Sequence, residues 1–489
     1  MHLHSLRAFI SAVLLVATLA LANSCSKIFP QILAFTHVTV IDATGAPPQP
    51  DATVIIRGTT ILAVGPSATT PIPKRANVVN AAGKFLIPGL ADMHIHLTGS
   101  GEPEGSRQFI LPLLIANGVT TVRDMGGYLD GLKKLRQEIE SGKRLGPQIY
   151  FTGPYLDGNP PSFQPSIVVQ NAAEAQTAVH QLKADGVDFI KVQSRLQPPV
   201  YFAIAVAAQK EGIRFVGHVP DSISPFAASD AGQSSIEHLT GILLACSSRE
   251  NELRQQQVPA PPTGETPAQE VVRQRKWQQE VLDSYSQEKA DSLFSKFVAD
   301  QTWQVPTFPL LLDLAYLTPD KAHANDSRLK YIPGNVKAIW RQGNNNILAN
   351  RTAADFAQRA ELVKRSQAAV GDMNAAGVRI LAGTDSVAPN VFPGFALHES
   401  IADLVEAGLT PMQALQAASS GPAEFLDVTA QQGTITPGKR ADLLLLDANP
   451  LDDIHNTQKI RAVIANGKLL DRTALDAILK NAEQFAATH

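Results

Sequence analysis

The feature that most constrains the fold is an alternation of short apolar runs with helical stretches between about residues 88 and 428. Residues 129–141, 172–185 and 356–376 have helical spacing, and Thr410 followed by Pro411 is typical of a helix start. This alternation indicates a parallel α/β fold, and eight strands predict a closed barrel. The eight predicted strands cover residues 90–94, 119–123, 148–152, 189–192, 214–218, 235–238, 305–308 and 378–383.

Both ends of the chain have a different pattern. Residues 32–86 alternate in the manner of strands between Gly and Pro turns, and residues 429–475 contain a second strand-rich stretch. Two such ends can pair with each other around the middle of the chain. We therefore expect a (β/α)8 TIM-like barrel over residues 87–428, with a small discontinuous β-sandwich domain built from the two ends.

One connection is too long for a plain loop between a strand and a helix. A Pro-rich stretch and a charged helical segment separate the sixth and seventh predicted strands, and we place this insertion at about residues 245–300. A long insertion at the active end of a barrel is often a lid or a wall of the substrate pocket. A surface insertion without function is the alternative.

Composition excludes several classes of partner and site. The 489 residues are 44% hydrophobic, which is enough for a large core, and the formal net charge of -3 provides no basic face for nucleic acid. The expected partner is therefore a small molecule, with a homo-oligomer left open. Because Cys25 and Cys246 are the only cysteines, a disulfide network and a cysteine-rich zinc site are both excluded.

Residues 1–22 have the pattern of a secretory signal peptide. Arg7 precedes an apolar run over residues 8–21, which is shorter than the roughly 20 residues of a spanning helix, and a small-x-small cleavage site lies at residues 20–22. We expect an exported protein, periplasmic or secreted, without a stable membrane span in the mature chain. A membrane anchor and a lipoprotein attached at Cys25 are the alternatives.

Histidines stand at or just after the ends of predicted strands, on the face where barrel enzymes build their active sites. His94 and His96 are two residues apart, so both rings point to the same side of a strand and can bind one ion. His218 and His238 end two successive predicted strands and indicate a second metal position. For each histidine taken singly, a structural role in the core is the alternative.

Lys191 and Asp385 complete this group. An unpaired ammonium is costly to bury, whereas reaction of the Lys191 amine with CO2 would give a carbamate that can bridge two cations. Pairing with a carboxylate is the ordinary alternative for this lysine. Asp385 follows the eighth predicted strand, where it can contact one metal and act as a general base. Its alternative role is to cap the following segment.

The chain resembles members of the amidohydrolase superfamily over nearly its whole length, from PGLADMHIH at residues 88–96 to GTITPGKRADL at residues 433–443. It is most similar to the imidazolonepropionase-like dipeptidases and carboxypeptidases, in the branch with a two-metal site and a carboxylated lysine. The name imidazolonepropionase is not carried over, because Lys191 argues against a one-metal site. The resemblance implies that the more buried ion is bound by His94 and His96, the other ion by His218 and His238, the bridge by N6-carboxylated Lys191, and the proton shuttle by Asp385.

The resemblance also implies cofactors and a reaction. Two divalent metal ions are expected, and histidine-rich ligation favours zinc. The reaction would be hydrolysis, by a hydroxide that bridges the two ions, of an amide bond next to a free carboxylate, as in dipeptides, N-acyl amino acids or amide-linked toxins. A lactonase or a phosphotriesterase on the same site is the alternative, and an inactive binding or scaffold protein is a more remote one.

Three further residues are candidates for contact with the substrate. Arg195, four residues after Lys191, can bind a carboxylate with its forked donors, although a solvated loop arginine is the alternative. Tyr155 can offer its hydroxyl to the site or pack in the core. His398 follows Asp385 closely enough in the sequence to line the same pocket.

Overall fold

The computed structural model describes residues 31–98, 105–257, 264–318 and 326–489. The expected signal peptide and Cys25 therefore lie outside the described residues. Among the helices in the described ranges, none is long and apolar enough to cross a membrane.

The chain has an α/β fold, with strands and helices that alternate through its middle. The strands are β1 (Ile32–Val40), β2 (Gln49–Arg57), β3 (Thr60–Pro66), β4 (Asn77–Asn80), β5 (Phe85–Pro88), β6 (Leu90–Ile95), β7 (Val119–Asp124), β8 (Gln148–Phe151), β9 (Tyr155–Asp157), β10 (Ser166–Val168), β11 (Ile190–Val192), β12 (Phe215–Gly217), β13 (Ser235–Glu237), β14 (Trp303–Val305), β15 (Leu443–Leu446), β16 (Ile460–Ala465) and β17 (Lys468–Asp471).

Helices connect these strands and cover the parallel sheets. The α-helices are α1 (Leu111–Ala116), α2 (Leu129–Glu140), α3 (Ala172–Ala184), α4 (Pro198–Glu211), α5 (Pro225–Asp230), α6 (Ile242–Ala245), α7 (Glu250–Gln257), α8 (Pro267–Asp283), α9 (Gln287–Asp300), α10 (Phe308–Tyr316), α11 (Gly334–Leu348), α12 (Ala353–Ala376), α13 (Phe395–Glu406), α14 (Pro411–Ala417), α15 (Ser420–Phe425) and α16 (Arg472–Thr488). A π-helix covers Ser106–Ile110, and 3-10 helices cover Ser327–Tyr331 and Ile454–Gln458.

The two ends of the chain meet in one eight-stranded sheet. Its order is β17-β16-β15-β5-β1-β2-β3, with β4 also paired to β1. The ends join where β15 pairs antiparallel with β5, from Leu443 opposite Pro88 to Leu446 opposite Phe85. Alternate residues of these strands are buried in a separate apolar cluster, as the period of two in the sequence requires. The division of the chain into domains and the sandwich packing stay predictions.

Two parallel sheets form the middle of the chain. One has the order β6-β7-β8, and the other has the order β10-β9-β11-β12-β13-β14. Residues 379–382 join them, because Gln304 of β14 and Met93 of β6 both form backbone hydrogen bonds with this segment. Since all these strands are parallel, their carboxyl ends meet at one edge. That edge carries the polar residues identified from the sequence.

Six of the eight predicted barrel strands are confirmed to within one residue at each end. The strand predicted at residues 305–308 is wrong in position: β14 ends at Val305, because Pro306 has no N–H for a ladder, and α10 starts at Phe308. Residues 378–383 form no ladder strand, and Ile380 pairs with Gln304 only as an isolated bridge. The described strands do not form one closed ladder, so the closed barrel also stays a prediction.

The predicted helices agree better with the structure. Those at residues 129–141, 172–185 and 356–376 appear as α2, α3 and α12, with α12 starting three residues earlier. Thr410 begins α14 with a capping box, in which its hydroxyl accepts from the Gln413 N–H and the Gln413 side chain reaches back to the Thr410 N–H. Local signals at helix ends are therefore strong in this chain.

The expected insertion contains the three helices α7, α8 and α9. Helix α8 is fixed to the long helix α12, because Nη1 of Arg275 lies 2.9 Å from Oδ1 of Asp355 and Nε2 of Gln358 donates to the carbonyl of Arg275 at 2.6 Å. The described part of the insertion is therefore packed on the parallel α/β unit. Its packing places α7 and α8 next to the carboxyl ends of β12 and β13.

Candidate metal centre

Four imidazole rings lie together at the carboxyl ends of the strands. The centroid of His238 lies 4.5 Å from that of His94 and 5.0 Å from that of His218, and the centroids of His94 and His96 are 5.5 Å apart. His94 belongs to β6, and His218 and His238 directly follow β12 and β13. The structure therefore brings together all four histidines that the sequence indicated.

Each ring has its Nδ1 engaged by a different group. An imidazole that is hydrogen-bonded through one nitrogen presents the other as a metal ligand, and such outer partners fix the tautomer and the ring orientation. The arrangement leaves four Nε2 atoms available as ligands. The Nδ1 partners are Oε2 of Glu237 for His94 at 2.7 Å, the carbonyl of Gly126 for His96 at 2.8 Å, Oγ of Ser194 for His218 at 2.8 Å, and Oγ1 of Thr307 for His238 at 2.6 Å.

Asp385 faces the same point as the histidines. Its Oδ1 lies 3.0 Å from Nε2 of His96 and 3.2 Å from Nε2 of His94. The buried Nε2 of His94 nevertheless makes no hydrogen bond of normal geometry with any described residue. One ligand atom from each of His94, His238 and Asp385 lies within 4.8 Å of the others. Ligands of one divalent ion, each about 2.1 Å from it, are separated by roughly 3–4 Å, so this donor set fits a metal ion.

Lys191 lies beside these groups on β11, and its side chain is almost fully buried. None of the described carboxylates forms an ion pair with Nζ of Lys191. The structure therefore does not show the pairing with a carboxylate that is the alternative role of this lysine. Burial lowers the pKa of Lys191 to about 8. Burial therefore disfavours the ammonium form of Lys191, against the attraction of the carboxylates of Glu237 and Asp385.

The charge states suit metal binding. Burial lowers the pKa of His238 to about 3, and burial together with Lys191 lowers the pKa of His218 well below its usual range. Both rings are therefore neutral and can donate a lone pair. Burial alone would raise the pKa of Asp385, but the imidazoles of His238, His94 and His96 outweigh it and hold that pKa well below its usual range. Asp385 is thus a carboxylate that can accept a proton.

The backbone of the site is strained at the residues that face it. His238, Thr307 and Asp385 have φ values of 56°, 51° and 64°, in the left-handed region that non-glycine residues seldom adopt. Gly126, whose carbonyl binds His96, has a φ of 146°, and a Cβ there would lie 2.1 Å from the ring of Tyr155. A side chain at residue 126 would therefore clash with the ring of Tyr155, and only glycine fits there.

A buried ionic pair lies under the histidines. Glu237 accepts from Nη2 of Arg123 at 2.9 Å and from Oγ of Ser235 at 2.5 Å, and both charged side chains are fully buried. Asp92 accepts from Oγ1 of Thr384 at 2.7 Å and from the backbone N–H of its neighbour His94. Sequence reasoning missed Glu237 and Asp92. Their signal was an acidic residue inside an apolar strand, one or two positions before a ligand.

A cavity of about 720 Å³ opens over the metal ligands, and we call it the metal cavity. All four histidines, Lys191 and Asp385 line it, together with Tyr155, whose hydroxyl lies 3.3 Å from Nδ1 of His96. Most of its other walls are apolar, and the exposed side chains of Phe163 and Ile339 stand at its edge. Further apolar walls come from Phe109, Ile110, Leu310, Val336, Trp340 and Phe485.

Two of the expected substrate contacts are not brought to the metal cavity. The exposed Arg195 donates from Nη1 to the carbonyl of Pro160 at 3.0 Å, which holds its guanidinium on a surface loop. His398 is buried on α13, where its ring nitrogens contact Oγ1 of Thr457 and the carbonyl of Asn117, each at 3.0 Å. Local hydrogen bonds direct both side chains away from the metal cavity.

Comparison with known proteins agrees with this geometry. The profile described as the Amidohydrolase family matches residues 85–295 and 310–470, which is more than half of the chain. The chain belongs to the amidohydrolase family. Membership of this family supports a hydrolase that acts on C–N bonds.

Two solved amidohydrolase structures show the same fold. A bottromycin amidohydrolase superposes with a TM-score of 0.73 at 22% identity, covering 94% of this chain and 91% of that protein. A Xaa-Pro dipeptidase with bound methionine in the active site gives a TM-score of 0.63 at 20% identity, covering 90% of this chain and 100% of that one. At these identities the likeness shows the fold alone.

The curated relatives are similar over short segments. An imidazolonepropionase from Acidiphilium cryptum is 30% identical over 112 residues, which is 22% of this chain and 27% of that protein. The chain spans between 21% and 27% of the length of the curated relatives that it matches.

Proposed function

We propose that this chain is a binuclear metal-dependent amidohydrolase that cleaves an amide bond in a small substrate with a free carboxylate. The observation that carries the proposal is the set of four histidines, each with Nδ1 engaged by a separate partner, around the ionised Asp385. Such a set has donors for metal ions and a group that can move a proton.

His94, His96 and Asp385 would hold one ion, His218 and His238 the second, and carboxylated Lys191 would lie between them. When bound, two divalent ions, which we propose to be zinc, polarise the scissile carbonyl and lower the pKa of water. Carboxylation is supported by the burial of Lys191 and by the lack of a described carboxylate partner, since a carbamate shared by two cations is neutralised.

The residues of the chain supply the remaining steps. Asp385 accepts a proton on its carboxylate from the attacking water and returns it to the nitrogen of the leaving amine. Tyr155 offers a hydroxyl beside His96, and the apolar walls of the metal cavity exclude bulk water around the reacting carbonyl.

The substrate class and the larger organisation are also part of the proposal. A Xaa-Pro dipeptidase shares the fold, and dipeptides or N-acyl amino acids are compatible with the volume and apolar walls of the metal cavity. We also propose that the two parallel sheets belong to one closed barrel over residues 87–428, beside a discontinuous β-sandwich domain built from residues 32–86 and 429–475.

Export of the protein rests on the sequence of residues 1–22 alone. N-terminal sequencing of the mature protein from fractionated cells tests it. Cleavage near residue 22 is expected, whereas a lipid-modified Cys25 at the new N-terminus would indicate a lipoprotein.

Metal analysis combined with one substitution tests the two-metal site. Two equivalents of metal per chain are expected, with loss of activity in Lys191→Ala and a carbamate signal when the native protein is supplied with 13C-labelled bicarbonate. One equivalent or less, with full activity retained by Lys191→Ala, would contradict the proposal.

A hydrolysis screen tests the reaction. It should cover dipeptides and N-acyl amino acids that differ in the C-terminal residue, together with lactones and phosphotriesters. Faster turnover of the carboxylate-bearing amides is expected. Turnover of lactones or phosphotriesters alone would assign the same site to a different bond, and no turnover with metal and bicarbonate supplied would indicate a binding protein.

A further inference from the structure

A second cavity of about 360 Å³ lies next to the metal cavity, and we call it the insertion cavity. It is lined by the segments after β12 and β13, by α7 and α8 of the insertion, and by α10 and α12. Its walls are mainly hydrocarbon and aromatic. They include Leu239, Ile242, Trp277, Val281, Leu311 and Leu362.

His238 lines both cavities. Its ring is also one of the group that we propose as metal ligands, so the insertion cavity adjoins the reacting centre directly. Its volume lies within the range of about 300–1,000 Å³ that is usual for small-molecule sites.

Arg254, one of two arginines at the insertion cavity, serves mainly the protein itself. Its Nη1 donates to the carbonyls of Asp221 and Ile223, and its Nη2 forms an ion pair with Glu250 at 2.9 Å. Only its buried Nε lacks a partner among the described residues. Arg254 therefore ties α7 to the segment after β12 and has little left to offer a ligand.

Arg359, the second arginine, is different. It is half-buried on α12, its Nη1 donates to the carbonyl of Leu314 at 3.1 Å, and none of the described carboxylates forms an ion pair with it. Asp221 lines the same cavity but lies on the side of Arg254, to which it offers its carbonyl. The guanidinium of Arg359 thus brings to an apolar cavity a positive charge that no described carboxylate pairs with, a setting that favours a carboxylate ligand.

The metal cavity has no such group. The described residues that line it include no arginine and no lysine besides Lys191. Among the described side chains, a free carboxylate on the substrate would therefore find an arginine only beyond His238. This difference between the adjoining cavities favours a substrate whose reacting bond lies in the metal cavity and whose carboxylate lies in the insertion cavity.

We propose that the insertion cavity is a substrate subsite for an apolar residue that ends in a carboxylate, with Arg359 as the anion contact. The inference rests on the proposed hydrolase function, and it gives the insertion a role as a wall of the site. The favoured substrates are amides whose carboxylate-bearing half has a hydrocarbon or aromatic side chain.

Kinetics of matched variants tests the anion contact. Arg359→Gln should lower kcat/KM for a carboxylate substrate by about 10- to 100-fold, mainly through KM, and leave the corresponding carboxamide within about threefold. Lys364→Gln removes the same charge from an exposed position of α12 outside the cavity and serves as the control. Equal effects of Arg359→Gln on both substrates would overturn the proposal.

Fluorescence gives a readout that does not depend on turnover. Trp277 lies in the insertion cavity, so 4-phenylbutyrate, which has no bond to cleave, should change its emission, and 4-phenylbutyramide should do so much more weakly. The response should disappear in Trp277→Phe and weaken at least about 10-fold in Arg359→Gln, with Arg359→Lys intermediate.

These outcomes separate the subsite from the reaction. A response that persists in Trp277→Phe would place the probe near Trp340 in the metal cavity and overturn the subsite. No response in the native protein would overturn it as well. A response that depends on Arg359, in a protein that hydrolyses no amide, would support the subsite and contradict the proposed function.

Discussion

Oε2 of Glu237 lies 2.7 Å from Nδ1 of His94, and both side chains are shielded from solvent. Burial would raise the pKa of Glu237, but Arg123 and His94 outweigh it and hold that pKa well below its usual range. Glu237 is thus an anion that keeps a proton on Nδ1 of His94 and leaves Nε2 as the ligand atom. The carboxylate of Glu237 also forms an ion pair with the buried Arg123, so this side chain connects the metal ligand His94 to the core of the fold.

Glu237→Gln should weaken metal binding by about 10- to 100-fold, because His94 loses the anion that orients it. It should also lower the free energy of unfolding by about 3–5 kcal/mol, since Arg123 keeps a buried charge without a partner. Metal retained after dialysis against a graded chelator, together with urea unfolding, measures both effects. Glu138→Gln breaks ion pairs with Arg107 and Arg144 away from the site and should leave metal binding unchanged. Unaltered metal retention in Glu237→Gln would contradict the assigned role.

Asp385→Asn should lower kcat by about 100- to 10,000-fold, because an amide cannot accept the proton that the carboxylate takes. Asparagine tolerates the φ of 64° at this position and keeps the side-chain shape, but it loses the attraction of the imidazoles that lowers the pKa of Asp385, so the unfolding temperature of the metal-free protein should fall. Steady-state kinetics at saturating substrate and metal is the measurement. A kcat close to that of the native enzyme would assign the proton transfer to another group.

Asp403 on α13 gives a pH-dependent prediction away from the metal ligands. Its Oδ2 is buried without a partner among the described residues, and burial, with smaller contributions from Glu406 and Glu399, raises its pKa to about 8. The folded protein therefore holds a proton that the unfolded chain releases above about pH 4, so the stability that this proton contributes is lost as the pH rises towards 8.

Asp403→Asn mimics the protonated form at every pH. The variant should be more stable than the native protein by on the order of 4 kcal/mol at pH 8, and the difference should vanish near pH 4. Urea unfolding at pH 4, 6 and 8 measures it, with the exposed Asp130→Asn as the control. If the difference in the free energy of unfolding between Asp403→Asn and the native protein did not depend on pH, burial of the ionised Asp403 would not be its cause.

Residues at or just after the end of a strand were predictable, because an apolar run shows where the strand ends and the period of two shows to which side each side chain points. This is why His94, His96, Lys191, His218 and His238 were found as a group. Contacts between distant segments have no such local signal. Glu237 and His94 are 143 positions apart, and neither strand shows from its own sequence that they meet.

Side chains on loops and helices were harder to place. Arg195 follows Lys191 closely, but the carbonyl of Pro160 determines where its guanidinium lies. Arg359 sits on a long helix whose face towards the insertion depends on how α8 packs against it. The periodicity of a helix shows which residues share a face, and only tertiary packing decides what that face contacts.

Gln193, which sequence reasoning also missed, carries the last prediction. It follows β11 two residues after Lys191, it is 2% exposed, and its Oε1 has no hydrogen-bond partner among the described residues although it lines the metal cavity. Gln193→Met should lower kcat/KM by about 10-fold, because a polar group of the substrate would lose its partner.

Stability of the same variant should stay constant or rise slightly, since a buried and unpaired oxygen is removed. Gln304→Met is the matched control: Gln304 is also buried with unpaired amide atoms, but it lies on β14 and does not line the metal cavity. The control should change stability in the same direction and leave kcat/KM unaltered. If both variants lost activity to the same extent, Gln193 would act through packing of the strands and not through contact with the substrate.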